Sequence, residues 1–214
     1  MIRVVTTAFL LLINIAVWLG LSESLMGCAI ATFDPAPQVS QAEEYETMGD
    51  YNAALKAFQA LVETTPESAS YRYEYGFFCY IHRDYLLQEA GWSKENLIDT
   101  VKEQLYRAHS LAKNDVSIAY RYALILMDDE FFGDRVSGEE VIDAWKSALT
   151  AIEEEHKQMP GWYAYPGNVA GALYQLARIE SRFDHVGAAR AYVEQARSIA
   201  PNTPIPESLS DQFS

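Results

Sequence analysis

The strongest constraint on this chain is a spacing that occurs twice. Ala42, Ala54, Phe58, Leu61 and Pro66 stand at the same relative offsets as Ala177, Ala189, Val193, Ala196 and Pro201. Within each set the apolar residues recur at threes and fours, which is one face of an amphipathic helix. The turn Gly49-Asp50-Tyr51 introduces the first of these helices, and Pro66 stops it. One such face cannot bury itself, so a repeated unit implies neighbours stacked to share a core. Two further copies lie between. Their first helices are marked by YEYG (Tyr73 to Gly76) and YRYA (Tyr120 to Ala123), which align with YQLA (Tyr174 to Ala177). Their second helices carry Val101, Leu105 and Ala108, then Val141, Trp145 and Ala148. The step from Leu61 to Gly76 equals that from Ala108 to Ala123, at 15 residues each.

The middle copies are longer. In the outer copies 12 residues separate the small residue of the first helix from the alanine of the second, whereas Gly76 to Val101 is 25 and Ala123 to Val141 is 18. The extra residues include LLQEAGWSKE and DEFFGDRVSG, and a third long connection contains MPGWYAYPG (Met159 to Gly167). Extended loops on a helical scaffold often carry partner contacts, but they also serve as capping or packing segments, and both readings stay open. Ser93 is placed to cap a helix continuing through Asn96 and Leu97. Gly138-Glu139-Glu140 opens another with carboxylates at its positive end. The proline-interrupted tail PNTPIPESLSDQFS reads as extended against the last helix or disordered.

The periodicity is helical almost throughout, without alternating β-branched runs, so the expected class is all-α. The unit resembles the tetratricopeptide repeat, a helix–turn–helix of about 34 residues. The resemblance rests on Ala42, Tyr45, Gly49-Asp50-Tyr51, Ala54, Phe58, Leu61 and Pro66 and on their counterparts near the C-terminus. It implies a right-handed α-solenoid of about four helix pairs within residues 38–203. The units fall at about 35–68, 69–115, 116–160 and 170–203, and a tail follows from 204 to 214.

In such arrays the first helices line a concave groove. Aligning them on the small residue places Val39, Tyr73, Tyr120 and Tyr174 three residues before it. Glu43, Phe77, Leu124 and Arg178 stand one after it, and Glu46, Tyr80, Met127 and Ser181 four after it. The resemblance therefore implies a groove that is acidic in the first unit, aromatic in the next two and basic in the last through Arg178 and Arg182. The candidate partner-binding residues are Tyr73, Phe77, Tyr80, Tyr120, Leu124, Tyr174 and Arg178. Tyrosine offers large contact area with few rotors to freeze, which suits peptide capture. Packing between neighbouring helices is the alternative role for the same rings. The pattern differs from the basic carboxylate clamp of chaperone-binding arrays, since Tyr73, Phe77 and Tyr120 stand where its lysine and asparagine donors belong.

The net charge of -14 opposes phosphate backbones and anionic headgroups, so no nucleic-acid partner is expected. Residues Val4 to Leu21 form an 18-residue uncharged apolar run. It is followed by Leu25-Met26-Gly27-Cys28, which resembles the lipobox of bacterial lipoproteins, with Cys28 as the lipidated residue. Three readings are open for residues 1–27: a lipoprotein signal, an uncleaved anchor, or a signal cleaved elsewhere, for example after Ala31. Each exports the folded part, with residues 28–37 as a linker, and the expected location is the cell envelope, facing the periplasm. Cys79, in FFCYIH, reads as a small buried hydrophobe.

The four histidines lack helical metal spacing, Asp128-Asp129-Glu130 lacks the offsets of a calcium loop, and no nucleophile elbow or phosphate loop occurs. No catalysis, metal or cofactor is expected. The expected function is a non-enzymatic scaffold that binds a protein or extended peptide. The alternative is an accessory lipoprotein of a tripartite, ATP-independent solute uptake system, whose tetratricopeptide components Phe131 to Leu149 resembles.

Overall fold

The computed structural model describes residues 37–159 and 165–213. The apolar run, the lipobox with Cys28, the linker up to residue 36, residues 160–164 and the side chain of Val39 lie outside the described residues. The described chain is all-helical: α1 (Pro37–Thr47), α2 (Tyr51–Thr64), α3 (Ala69–Ile81), α4 (Arg83–Gln88), α5 (Lys94–Leu111), α6 (Val116–Ile125), α7 (Asp129–Phe132), α8 (Gly138–Gln158), α9 (Tyr165–Arg182), α10 (Val186–Ile199) and α11 (Glu207–Phe213). A single 3₁₀ turn, Gly133–Arg135, follows α7. None of the described helices is long and apolar enough to cross a membrane.

Short polar residues set the helix starts. Asp50, Ser68, Ser93, Asp115, Asp128 and Ser137 each accept a backbone N–H two or three residues into the helix that follows, which satisfies an otherwise orphaned donor. Ser137 and Glu140 form a reciprocal capping box. Gly49, in the α1–α2 turn, has φ +77°. Asp184 takes the equivalent place in the α9–α10 turn with φ 59°, the left-handed region that glycine enters without steric cost.

The helices associate as four consecutive pairs: α1 with α2, α3 with α5, α6 with α8, and α9 with α10. Successive pairs abut through α2–α3, α5–α6 and α8–α9. One contiguous core runs through all four, with Phe58, Phe78, Leu97, Leu105, Trp145, Ile152, Leu173 and Leu176 almost fully enclosed. Ala42, Gly76, Ala123 and Ala177 are all buried on the first helices, where a small side chain lets the second helix approach. Arg72 fastens one junction, donating from Nε to the carbonyl of Pro66 at 2.6 Å and from Nη1 to Gln104 Oε1 at 2.7 Å.

Gly76 shows how close that approach is. A Cβ there would lie 3.0 Å from Leu105 Cγ and 3.1 Å from Gln104 Cβ. Gly76→Val is therefore expected to destabilise the protein by about 1–3 kcal/mol through overpacking. A urea denaturation midpoint unchanged from the wild type would show that α3 and α5 can part without cost.

The insertions fold against the body. The first forms α4, whose Leu86 is fully buried, and the second forms α7, which buries Phe131 and Phe132. Both are packing segments at these residues. The tail corrects the sequence reading: it closes into helix α11, with Leu209 and Phe213 buried and Ser210 N–H on the carbonyl of Pro206. Pro206 ends the extended approach and starts the helix, since a proline at a helix start removes only a donor that would be orphaned anyway.

Candidate functional site

The first helices of the four pairs, α1, α3, α6 and α9, carry the residues singled out by the repeat register. The structure distributes the tyrosines among different roles. Tyr73 is 4% exposed, its ring stacks on Phe77 at 5.7 Å, and its hydroxyl accepts from Arg121 Nη1 at 3.0 Å. Burial pushes the Tyr73 phenol up to about 12, against the lowering influence of Arg121. Tyr80 is 6% exposed and donates to Asp128 Oδ2 at 2.8 Å, with its ring edge-on to Phe131. Tyr174 is 3% exposed and donates to the carbonyl of Thr203, so the tail reaches it. Tyr120 is half-buried, edge-on to the indole of Trp145 at 4.9 Å.

Tyr73, Tyr80 and Tyr174 thus fill space between elements, which is the packing role left open by the sequence. Phe77, Leu124 and Arg178 keep part of their surface. Phe77 is joined to Tyr73, whereas Tyr80 belongs with the insertions and Tyr174 with the tail. Arg178 approaches the sulfur of Met127 at 3.7 Å. Burial and the neighbouring Arg182 lower its pKa, and Asp129 partly offsets them.

One place after each marker tyrosine stand Glu74, Arg121 and Gln175, and the first two bring charge to this face. They were missed in the groove assignment, although each lies three residues before Phe77, Leu124 or Arg178 and so shares its helical face. Arg121 lies 5.8 Å from the Tyr73 ring centroid and 5.9 Å from that of Phe77, within reach of a cation–π contact. Burial works against its charge, but Tyr73, Glu74 and Asp115 outweigh this and raise its pKa.

Glu74 is the most perturbed carboxylate here. Burial pushes it up to about 7; Glu43 and Glu46 add to the rise and Arg121 opposes it. Glu43 is also raised, first by burial and then by Glu46. Among the described residues Glu74 makes no side-chain hydrogen bond or ion pair, while Glu46 is held by His82 Nε2 at 2.7 Å. Farther along the same helices, the buried oxygens Ser70 Oγ and Gln175 Oε1 also lack hydrogen-bond partners.

The arrangement can therefore receive a cation next to an aromatic ring. Two carboxyls held above their usual range, Glu74 and Glu43, act on one another, with Glu74 one turn before Phe77 on α3, and a positive group arriving there would recover their charged forms. No family model matches this chain, and no curated protein matches it either.

Elsewhere, an open cavity of about 420 Å³ lies on the second helices, lined by Asp99, Lys102, Glu103, Tyr106 and Glu140. The Lys102–Glu140 ion pair, at 2.8 Å, crosses it. Among the described residues no group of three or more His, Cys, Asp or Glu side chains is placed to hold a metal ion. Cys79 is fully buried, and burial pushes its thiol up to about 12, so it is held as the unreactive thiol.

Proposed function

We propose that this chain is a non-enzymatic, envelope-located scaffold of tetratricopeptide type, coiled as a right-handed solenoid and anchored through Cys28 or the N-terminal apolar run. It docks an extended segment of a partner protein on the face formed by its first helices. The segment carries a lysine or arginine next to an apolar side chain. The basic group sits against Glu74, Glu43 and Glu46, and the apolar group against Phe77 and Leu124. The observation that carries this reading is Glu74, a mostly buried carboxylate without a side-chain partner among the described residues, pushed up to about 7 by burial and by the neighbouring Glu43. Strongly perturbed groups on an accessible face mark functional sites more often than scaffold.

The charge of the whole chain favours the same class of partner, because a net -14 steers a basic segment towards the face. The uptake-accessory reading would seat a small ligand in a cavity. The cavity described above lies on the second helices and is crossed by an ion pair, whereas the perturbed carboxylates lie on the first helices, so we favour docking there.

The test uses the full chain in nanodiscs, with a photo-crosslinking phenylalanine analogue at Phe77 and, as a control, at exposed Tyr106. The expected result is a crosslinked segment bearing a basic residue at Phe77 but not at Tyr106, with yield falling tenfold or more on Glu74→Gln. Equal yields at the two positions, or a yield indifferent to Glu74→Gln, would overturn the reading.

A further inference from the structure

The ends of the first helices carry a second pattern of charge, which shares Glu46 with the docking face. Glu46, at the end of α1, pairs with His82 at the end of α3 at 2.7 Å. Its neighbour Arg83 pairs with Asp128 at 2.8 Å, just beyond α6. Its neighbour Asp129 in turn pairs with Arg182, at the end of α9. Two adjacent dipeptides, His82-Arg83 and Asp128-Asp129, thus each face both ways. Three ion pairs run in one row, with one link for each junction between successive helix pairs.

The links differ in strength. Asp128 Oδ2 accepts from both Arg83 Nη1 and the Tyr80 hydroxyl, and Oδ1 caps α7 through Phe131 N. The Arg83 guanidinium also lies over the Tyr80 and Phe131 rings, at 5.3 and 5.6 Å. Its charges are well covered, with side-chain exposures of 28% and 12%. The Arg182–Asp129 link is open to water, at 56% and 62%, and salt screens such pairs. The Glu46–His82 link is covered about as well as the central one, with side-chain exposures of 18% and 22%, and the rings of Tyr51 and Phe78 lie against the imidazole at 4.3 and 4.8 Å.

We propose that this row is a strap that fixes the angle between successive helix pairs, with two covered links and one, at the last junction, that opens. The first three pairs form one rigid body, and the last pair swings when its link opens, which changes the width of the face beside it. The strap requires all three links to act at their own junctions, a property that apolar packing alone would not confer.

The test measures distances between spin labels on exposed second-helix positions in the full chain, with Cys28→Ser so that only introduced thiols react. Labels at Lys56 and Ser110, Ser110 and Thr150, and Thr150 and Ser198 each report one junction. Glu46→Gln is expected to broaden only the first distribution, and Arg182→Gln only the third. In 1 M salt the third should broaden in the otherwise unmodified chain, while the first and second stay narrow. Arg83→Gln should broaden the second, and Asp128→Asn provides a further variant at the same link. Unchanged distributions in Glu46→Gln and Arg182→Gln would overturn the proposal, because helix packing would then set the angles. So would simultaneous broadening of all three in any one variant, which reports general loosening rather than a junction.

Discussion

Replacing Trp145 with alanine is expected to destabilise the protein by about 3–5 kcal/mol, the range for removing a large buried aromatic. Trp145 is 0% exposed, its ring meets Tyr120 edge-on, and its indole N–H points at the sulfur of Met127 at 3.0 Å. It stands on α8 facing α6, so the void would open inside the third pair. A domain of this kind is stable by about 5–15 kcal/mol in all, so this one side chain accounts for a large share. The melting temperature should fall by roughly 6–20 °C. Trp145→Phe keeps a ring in the site and should recover most of the loss. A Trp145→Ala protein that melts within about 2 °C of the wild type would show that the third pair does not depend on this packing.

Glu74→Gln is expected to act in the opposite direction, as a stabilising change at alkaline pH. The folded protein holds the Glu74 proton more tightly than the unfolded chain does, because its folded value is raised to about 7 from an ordinary 4.5. Between those two pH values the folded state binds more protons, so the contribution of Glu74 to stability falls as pH rises. Above about 7 the penalty is complete; below about 4.5 it is absent. Removing the charge should add about 2–3 kcal/mol at pH 8 and little at pH 4.5. The measurement is the difference in urea denaturation between wild type and variant across that range. A difference independent of pH would refute the assignment of burial and like charge at this site. Stability gained together with binding lost is what a residue kept for docking should show.

The helix pairs were legible because their signal is local. The contacts of Ala42 with its second helix, and of Ala177 with its own, recur at fixed chain offsets, and a cap such as Ser93 announces itself within three residues. Gly76 was readable for the same reason, since only a small side chain serves at that place. What escaped were contacts between distant residues. The strap joins Arg83 to Asp128 and Asp129 to Arg182, partners supplied by different pairs, and no spacing within either pair reveals them. The burial of Tyr80 depends on both insertions folding back, and that of Tyr174 on a tail whose prolines disguised a helix. The repeat register led to the first helices. It passed over Glu74 and Arg121 because it followed the repeated tyrosines, whereas the charge lies on the variable residue beside them.

Helix α11 has a consequence for what the last pair can offer a partner. Leu209 and Phe213 are buried against the last pair, with Arg190 of α10 over the Phe213 ring at 5.8 Å and Ser181 of α9 hydrogen-bonded to Gln212. That side of the last pair is therefore covered by a segment of the same chain, seven residues long. Anything that docks there, a second molecule included, has to peel this segment away first.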